Sequence, residues 1–154
     1  MVELFQATHA WLVERGLVDP EPYAHGSGAV ARIIEWEASG GLLLAEGDDG
    51  ELLGALALGA RPPYVTPAGE PERYIEALVR SRGHRGRGVG DALLREAARE
   101  ARSGGAGLLR VDVWGAVPAL VTYFEQRGFE RCGTYELDGG WHGQVLCLAL
   151  DEPD

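Results

Sequence analysis

The sequence predicts an α/β fold, a mixed sheet flanked by helices, and three observations lead there. Its 154 residues suffice for one domain with one hydrophobic core. From residue 41 onward, short apolar strand-like runs are interleaved with stretches of helical period, the order that calls for a layered α/β arrangement. One strand also runs directly into a glycine-rich loop that opens a helix, HRGRGVGDALL, His84 to Leu94.

Taken in order, residues 4 to 15 read as a helix, with Leu4, Ala7, Trp11, Leu12 and Val13 on an apolar side. A Pro- and Gly-bearing loop follows, and a second helix runs from about Ala29 to Glu37, with Val30, Ile33, Ile34 and Trp36 inward. LLLAEGDDGELLGALALG is two apolar runs around Gly47-Asp48-Asp49-Gly50, a hairpin signal. After the Pro-rich loop 61 to 71 comes a strand, Tyr74 to Arg80. A helix then carries Val89, Leu93, Leu94, Ala97, Ala98 and Ala101 at helical spacing until Ser103-Gly104-Gly105. Leu108 to Val113 alternates as a strand, and Pro118 starts a helix through Arg127 that Gly128 stops. Phe129 to Leu137 and Val145 to Leu150 are strands joined at Asp138-Gly139-Gly140. The expected organisation is one domain over 1 to 154, with 1 to 40 a helical region and 41 to 150 the sheet and its loops.

Composition is that of a soluble globular chain, 45% hydrophobic and 25% charged. No run reaches the roughly 20 apolar residues of a membrane span, and the first residues lack the basic and apolar sequence of a leader. The expectation is a cytoplasmic protein with no membrane partner. Cys132 and Cys147 flank the last turn almost symmetrically, and in a reducing compartment two buried thiols are expected there. His9, His25, His84 and His142 show no metal spacing, so no metal is expected.

Charge is uneven. Residues 80 to 102 hold seven Arg against three acids, a net of +4, and the remainder carries −14 of the total of −10. Such a window suits a polyanionic ligand, and the acidic body suits a cationic or amine one. Nucleic acid is disfavoured, because the basic tract is short and the rest would repel phosphate. All 14 basic residues are Arg, a bias that points to a GC-rich bacterial genome.

The loop carries the chemistry. A helix N-terminus leaves backbone N–H groups without intrahelical partners, and its dipole favours an anion. Glycines let a phosphate reach those amides. Gly86-x-Gly88-x-Gly90 fails the dinucleotide pattern because position 91 is Asp, and no Lys-Ser/Thr follows for a P-loop. What fits is Arg85-x-x-Gly88-x-Gly90 after a strand.

With that motif, and with YFEQRGFE (123 to 130) as a late helix ending in Gly-Phe, the sequence resembles the GNAT superfamily of N-acetyltransferases from about Gly41 to Leu150. The resemblance implies acetyl-CoA as donor and a primary amine, of a small molecule or a protein N-terminus, as acceptor. It implies a central sheet splayed beside the strand before the loop, where backbone groups of Leu78, Val79 and Arg80 meet the pantetheine arm. Amides from Gly86 to Gly90, Val89 included, would hold the pyrophosphate, with added charge from Arg85 or Arg87. The Val79 N–H would polarise the thioester carbonyl.

Glu76, in YIEALVR, stands where many relatives place an acid, and alternation puts Glu72, Tyr74 and Glu76 on one strand face. Glu76 is the first candidate base and Glu72 the second. The family pattern breaks at three sites. Phe124 lies at the cofactor position where relatives carry Tyr, with Tyr123 one residue earlier as candidate acid. Val117 stands for an Asn, and Arg80 for a Val. These losses keep a second reading open, a catalytically weak or inactive CoA-binding sensor. The family's first edge strand is also missing, which leaves a sheet edge able to pair with a second protomer. Trp36 is expected in the core, and Tyr64, Trp114 and Trp141 are candidates for lining an acceptor pocket.

Overall fold

The computed structural model describes residues 35–80 and 88–150. The two helices expected near the N-terminus lie outside them, except for residues 35–38, which are helical. The expectation about the family's first edge strand also concerns residues outside them.

The first hairpin forms where Gly-Asp-Asp-Gly predicts it. Strands β1 (Leu42–Glu46) and β2 (Leu52–Gly59) pair antiparallel, Leu42 opposite Ala57. Gly50 takes φ +80, a conformation open to glycine at little cost, and the Asp49 side chain accepts a bond from the Glu51 N–H at 3.0 Å. Next come β3 (Glu72–Arg80), helix α1 (Val89–Ser103) and β4 (Leu108–Trp114). Helix α1 buries Val89, Leu93, Leu94, Ala97 and Ala101, its predicted apolar stripe. Asp91 in its first turn and Arg102 in its last complement the helix dipole.

Helix α2 (Pro118–Glu125) starts at its predicted proline and ends two residues short of the expected Arg127. Strands β5 (Glu130–Leu137) and β6 (Trp141–Ala149) close the chain, with Gly139 and Gly140 at positive φ between them. β6 begins four residues earlier than alternation suggests, because Gly140 completes the turn and Trp141 already pairs with Leu137. Trp141 therefore belongs to a strand rather than to the turn.

The six strands form a mixed sheet in the order β1-β2-β3-β4-β6-β5. β3 and β4 are parallel, whereas β6 runs antiparallel to both β4 and β5. By contacts the chain divides into two compact units, one reaching Leu58 and including Ala77–Ala97, the other Gly59–Glu76 and Ala98 onward. The first has a core of Trp36, Ala55, Ala57 and Val79; the second has Val65, Tyr74, Tyr135 and Val145. No described helix is long and apolar enough to cross a membrane.

One expectation is corrected here. Cys132 and Cys147 are not buried thiols but a disulfide, with Cα atoms 6.0 Å apart and Cys132 exposed. The register of β5 shifts between Arg131 and Gly133, so Cys132 is the extra residue of a bulge. The near-symmetric placement about the turn does bring the two residues together; the expectation of thiols rested on a reducing compartment.

Candidate functional site

At the start of α1, Gly88 sits at φ +70 and is exposed, and a Cβ built there would meet nothing within 4 Å. The first intrahelical bond described is Ala92 N–H to Gly88 O at 3.0 Å. The amides of Val89, Gly90 and Asp91 thus precede the hydrogen-bonded ladder, as helix geometry requires. Arg85, Gly86 and Arg87 lie outside the described residues.

Close packing holds this helix start. A Cβ on Gly54 of β2 would come within 2.8 Å of Val89 Cγ1 and 2.9 Å of the Val79 carbonyl, so only glycine lets α1 and β3 come this near. Val79 buries its side chain beside Trp36, Ala55 and Ala57, which anchors the end of β3 by its apolar group. Leu78 is half-buried and Arg80 exposed. β3 and β4 pair in parallel over Glu72–Ile75 with Leu108–Val111.

In the second unit, the two acids that alternation puts on one face of β3 have different surroundings. Glu72 is committed: one carboxylate oxygen accepts from Arg110 Nη1 at 2.9 Å, the other from the Ala68 N–H at 2.9 Å. Arg110 is buried and also donates to the Thr66 carbonyl, so the pair staples the loop after β2 onto the sheet. Glu76 is half-buried, and its carboxylate lies against Gly59, in the space a Cβ there would take. Between these acids stands Tyr74, whose hydroxyl donates to Asp112 Oδ2 at 2.6 Å. Tyr135 donates to Oδ1 of the same carboxylate at 3.0 Å. Burial raises the Asp112 pKa above the ordinary carboxylate value, although both phenol bonds oppose the shift. Burial first, then the Asp112 charge, pushes both phenols well above their usual range.

On α2, Phe124 is buried edge-to-face with Phe129, ring centroids 5.4 Å apart. Tyr123 is half-buried, with the Arg127 guanidinium 3.6 Å over its ring and Arg127 Nη1 bonded to its carbonyl. Val117 is the N-cap of α2 and offers no side-chain cap. Trp36 is in the core as expected, Trp114 packs partly buried against the second core, Tyr64 is 37% exposed, and His142 is exposed.

Sequence reasoning missed Asp112, Arg110, Tyr135, Gly59 and Gly143. The signal for the first two was present in LLRVDVW, where Arg110 and Asp112 put two charges on one face of an otherwise apolar strand.

The sequence profile described as the acetyltransferase (GNAT) family matches residues 8–129. Streptothricin acetyltransferase of Streptomyces lavendulae is 33% identical over 97 residues, which cover 63% of this chain and 48% of that protein. The chain thus spans about half the length of that relative. Among solved structures, a nourseothricin acetyltransferase superposes with a TM-score of 0.59 at 26% identity, covering 71% of this chain and 65% of its own. The ribosomal-protein-alanine N-acetyltransferase of Brucella melitensis reaches 0.69 at 21% identity over 97% and 96%, a likeness of fold alone.

Proposed function

The chain belongs to the acetyltransferase (GNAT) family, and on that premise we propose that it transfers the acetyl group of acetyl-CoA directly to a primary amine. The observation that carries this reading is Gly88, whose left-handed backbone and open Cα stand at the start of α1. The site fits a pyrophosphate: the amides of Gly88, Val89 and Gly90 precede the helical ladder, and Arg85, Gly86 and Arg87 adjoin them in sequence. Bound acetyl-CoA supplies the acetyl group as an activated thioester.

This chain's residues do the rest. Backbone groups of Leu78, Val79 and Arg80 orient the pantetheine arm, and the Val79 N–H bonds the thioester carbonyl. Glu76 takes the proton of the acceptor ammonium, directly or through water. It stands where the family resemblance places an acid, and Glu72, whose oxygens bond Arg110 Nη1 and the Ala68 N–H, is the second candidate. Tyr123 is the candidate proton donor to the leaving thiolate, and Phe124, at the cofactor position of the family pattern, offers an apolar ring in place of a hydroxyl. A thiol pKa near about 8.5 also allows departure without an acid. We take the whole chain as one acetyltransferase domain of a bacterial cytoplasm, with residues 1 to 40 on the acceptor side. The relative's name makes a streptothricin-like amine one acceptor to test.

Release of CoA thiol over a panel of amines tests the reading. Wild type should turn over at least one amine, and Glu76→Gln should lower kcat by roughly 100-fold or more. Full activity in Glu76→Gln would remove Glu76 from the mechanism. A second reading, a CoA-binding module without turnover, is favoured by the absence of a hydroxyl at Phe124 and the guanidinium over Tyr123. CoA binding without acetylation of any amine would select it.

A further inference from the structure

Cys132 and Cys147 form a disulfide that the transfer mechanism does not use. Cys132 is the bulged residue of β5. Arg131 faces Leu146 and Gly133 faces Val145, which leaves Cys132 no partner in the ladder. β5 is the last strand of the sheet, paired with β6 on one side. Cys132 is exposed, and a Cβ built on the adjoining Gly133 would meet nothing within 4 Å. Cys147, one strand further in, is half-buried. Access helps decide which sulfur of a disulfide an incoming thiol attacks, and here access favours Cys132.

The neighbours of Cys147 suit it as the leaving group. In the ladder it stands between Arg110 of β4 and Glu130 of β5. Residues directly opposite one another on antiparallel strands share a face, with Cβ atoms about 5 Å apart. Arg110 is buried; its Nη1 bonds Glu72 and the Thr66 carbonyl, and its Nε has no hydrogen-bond partner among the described residues. Glu130 is exposed, so water screens its charge more than that of the buried guanidinium. A thiolate released at Cys147 thus has a cation with an unused donor across the ladder, and a thiol beside Arg leaves more readily. The pairing on both sides of the bulge, Cys147 with Glu130 and Val145 with Gly133, belongs to the backbone and does not require the S–S bond.

We infer that the Cys132–Cys147 disulfide is a reversible thiol-exchange site, with Cys132 the sulfur that takes up a low-molecular-weight thiol. The incoming thiolate forms a bond to Cys132 Sγ, the Cys132–Cys147 bond breaks, and its electron pair leaves on Cys147 Sγ. A second thiolate attacks the small-molecule sulfur of this mixed disulfide and releases Cys132. The protein disulfide is then reduced to two thiols, and two small thiols are oxidised to their disulfide. In the reverse direction the Cys147 thiolate attacks Cys132 Sγ, expels the small thiol and restores the bridge. None of these steps depends on acetyl transfer.

Glutathione is the probe. The oxidised full chain is incubated with it and quenched with acid, and the adduct is located by peptide mass spectrometry. Glutathione should be found on Cys132 at least about tenfold more often than on Cys147. The fully reduced protein should still melt as one cooperative transition, and oxidised glutathione should return it to the Cys132–Cys147 bridge. An adduct mainly on Cys147 or shared equally would overturn the site. So would a bridge that persists in excess glutathione, or loss of the fold on reduction. Cys147→Ser gives a separate reading, because it removes the thiol that expels the adduct. Treated with oxidised glutathione, it should accumulate at least about tenfold more Cys132 adduct than reduced wild type does. Equal amounts in the two proteins would remove Cys147 as the resolving thiol, and the reversible site with it.

Discussion

In the first unit Trp36, Ala55, Ala57 and Val79 close on one another with no titratable group among them. In the second, Val65, Tyr74, Tyr135 and Val145 pack together, and the two phenols bond the carboxylate of Asp112. The first core sets Trp36 and Val79 against two alanines, with Gly54 bringing backbones together beside it, and what it offers to function is backbone: the end of β3 and the first turn of α1. The second core offers side chains, because its buried face carries acids and phenols that hold one another in place. A mutation in the first should act through packing. A mutation in the second should act through hydrogen bonding and charge.

Gly54→Val is the strongest way to break the first half of that comparison. Its new side chain would strike Val89 and the backbone carbonyl of Val79. Overpacking against backbone, which cannot swing aside, should cost about 3 kcal/mol of unfolding free energy by urea titration. Asp112→Ala attacks the second core by leaving two buried phenols without their acceptor, and about 2 kcal/mol should be lost. Because the folded-state pKa of Asp112 is raised, the folded protein binds that proton more tightly than the unfolded chain. Wild-type stability relative to Asp112→Ala should therefore rise as pH falls from the raised value toward the ordinary one near 3.8, and be lowest above it. A thermal-melt series over pH reads this directly.

Gly59→Ala separates stability from chemistry. The added methyl displaces the carboxylate of Glu76, the far end of a flexible side chain, so melting should change by under about 1 kcal/mol. Acetyl transfer should meanwhile fall roughly tenfold or more, as a misplaced base predicts. Val117→Asn gives α2 the cap it lacks, and should raise stability by about 0.5 to 1 kcal/mol. The smallest effect belongs to Arg131→Ala at the surface. Its 3.4 Å pair with Glu125, exposed on both sides, should contribute no more than about 0.5 kcal/mol.

The fold was legible where local chemistry decides it. Gly47 to Gly50 marks a hairpin by turn propensity alone, the stripe from Val89 to Ala101 marks a helix by period, and Pro118 marks a helix start. The turn that opens α1 was legible for the same reason, since Gly88 answers a local backbone need. What escaped was set by partners far apart in sequence. Asp112 meets Tyr74 across 38 residues and Tyr135 across 23, and no spacing rule links them. Gly59 and Gly143 look like ordinary strand glycines until Glu76 and Tyr135 are seen lying over them. The disulfide escaped because its oxidation state depends on the compartment, which no residue spacing reveals.

The most direct test of the central claim is a calorimetric titration of acetyl-CoA into wild type and Gly88→Glu. The added carboxylate would stand on a left-handed backbone position and repel the pyrophosphate at the helix start. Saturable binding by wild type, weakened at least about tenfold in folded Gly88→Glu, is the predicted result. Equal affinity for the two proteins, or no binding by either, would contradict it.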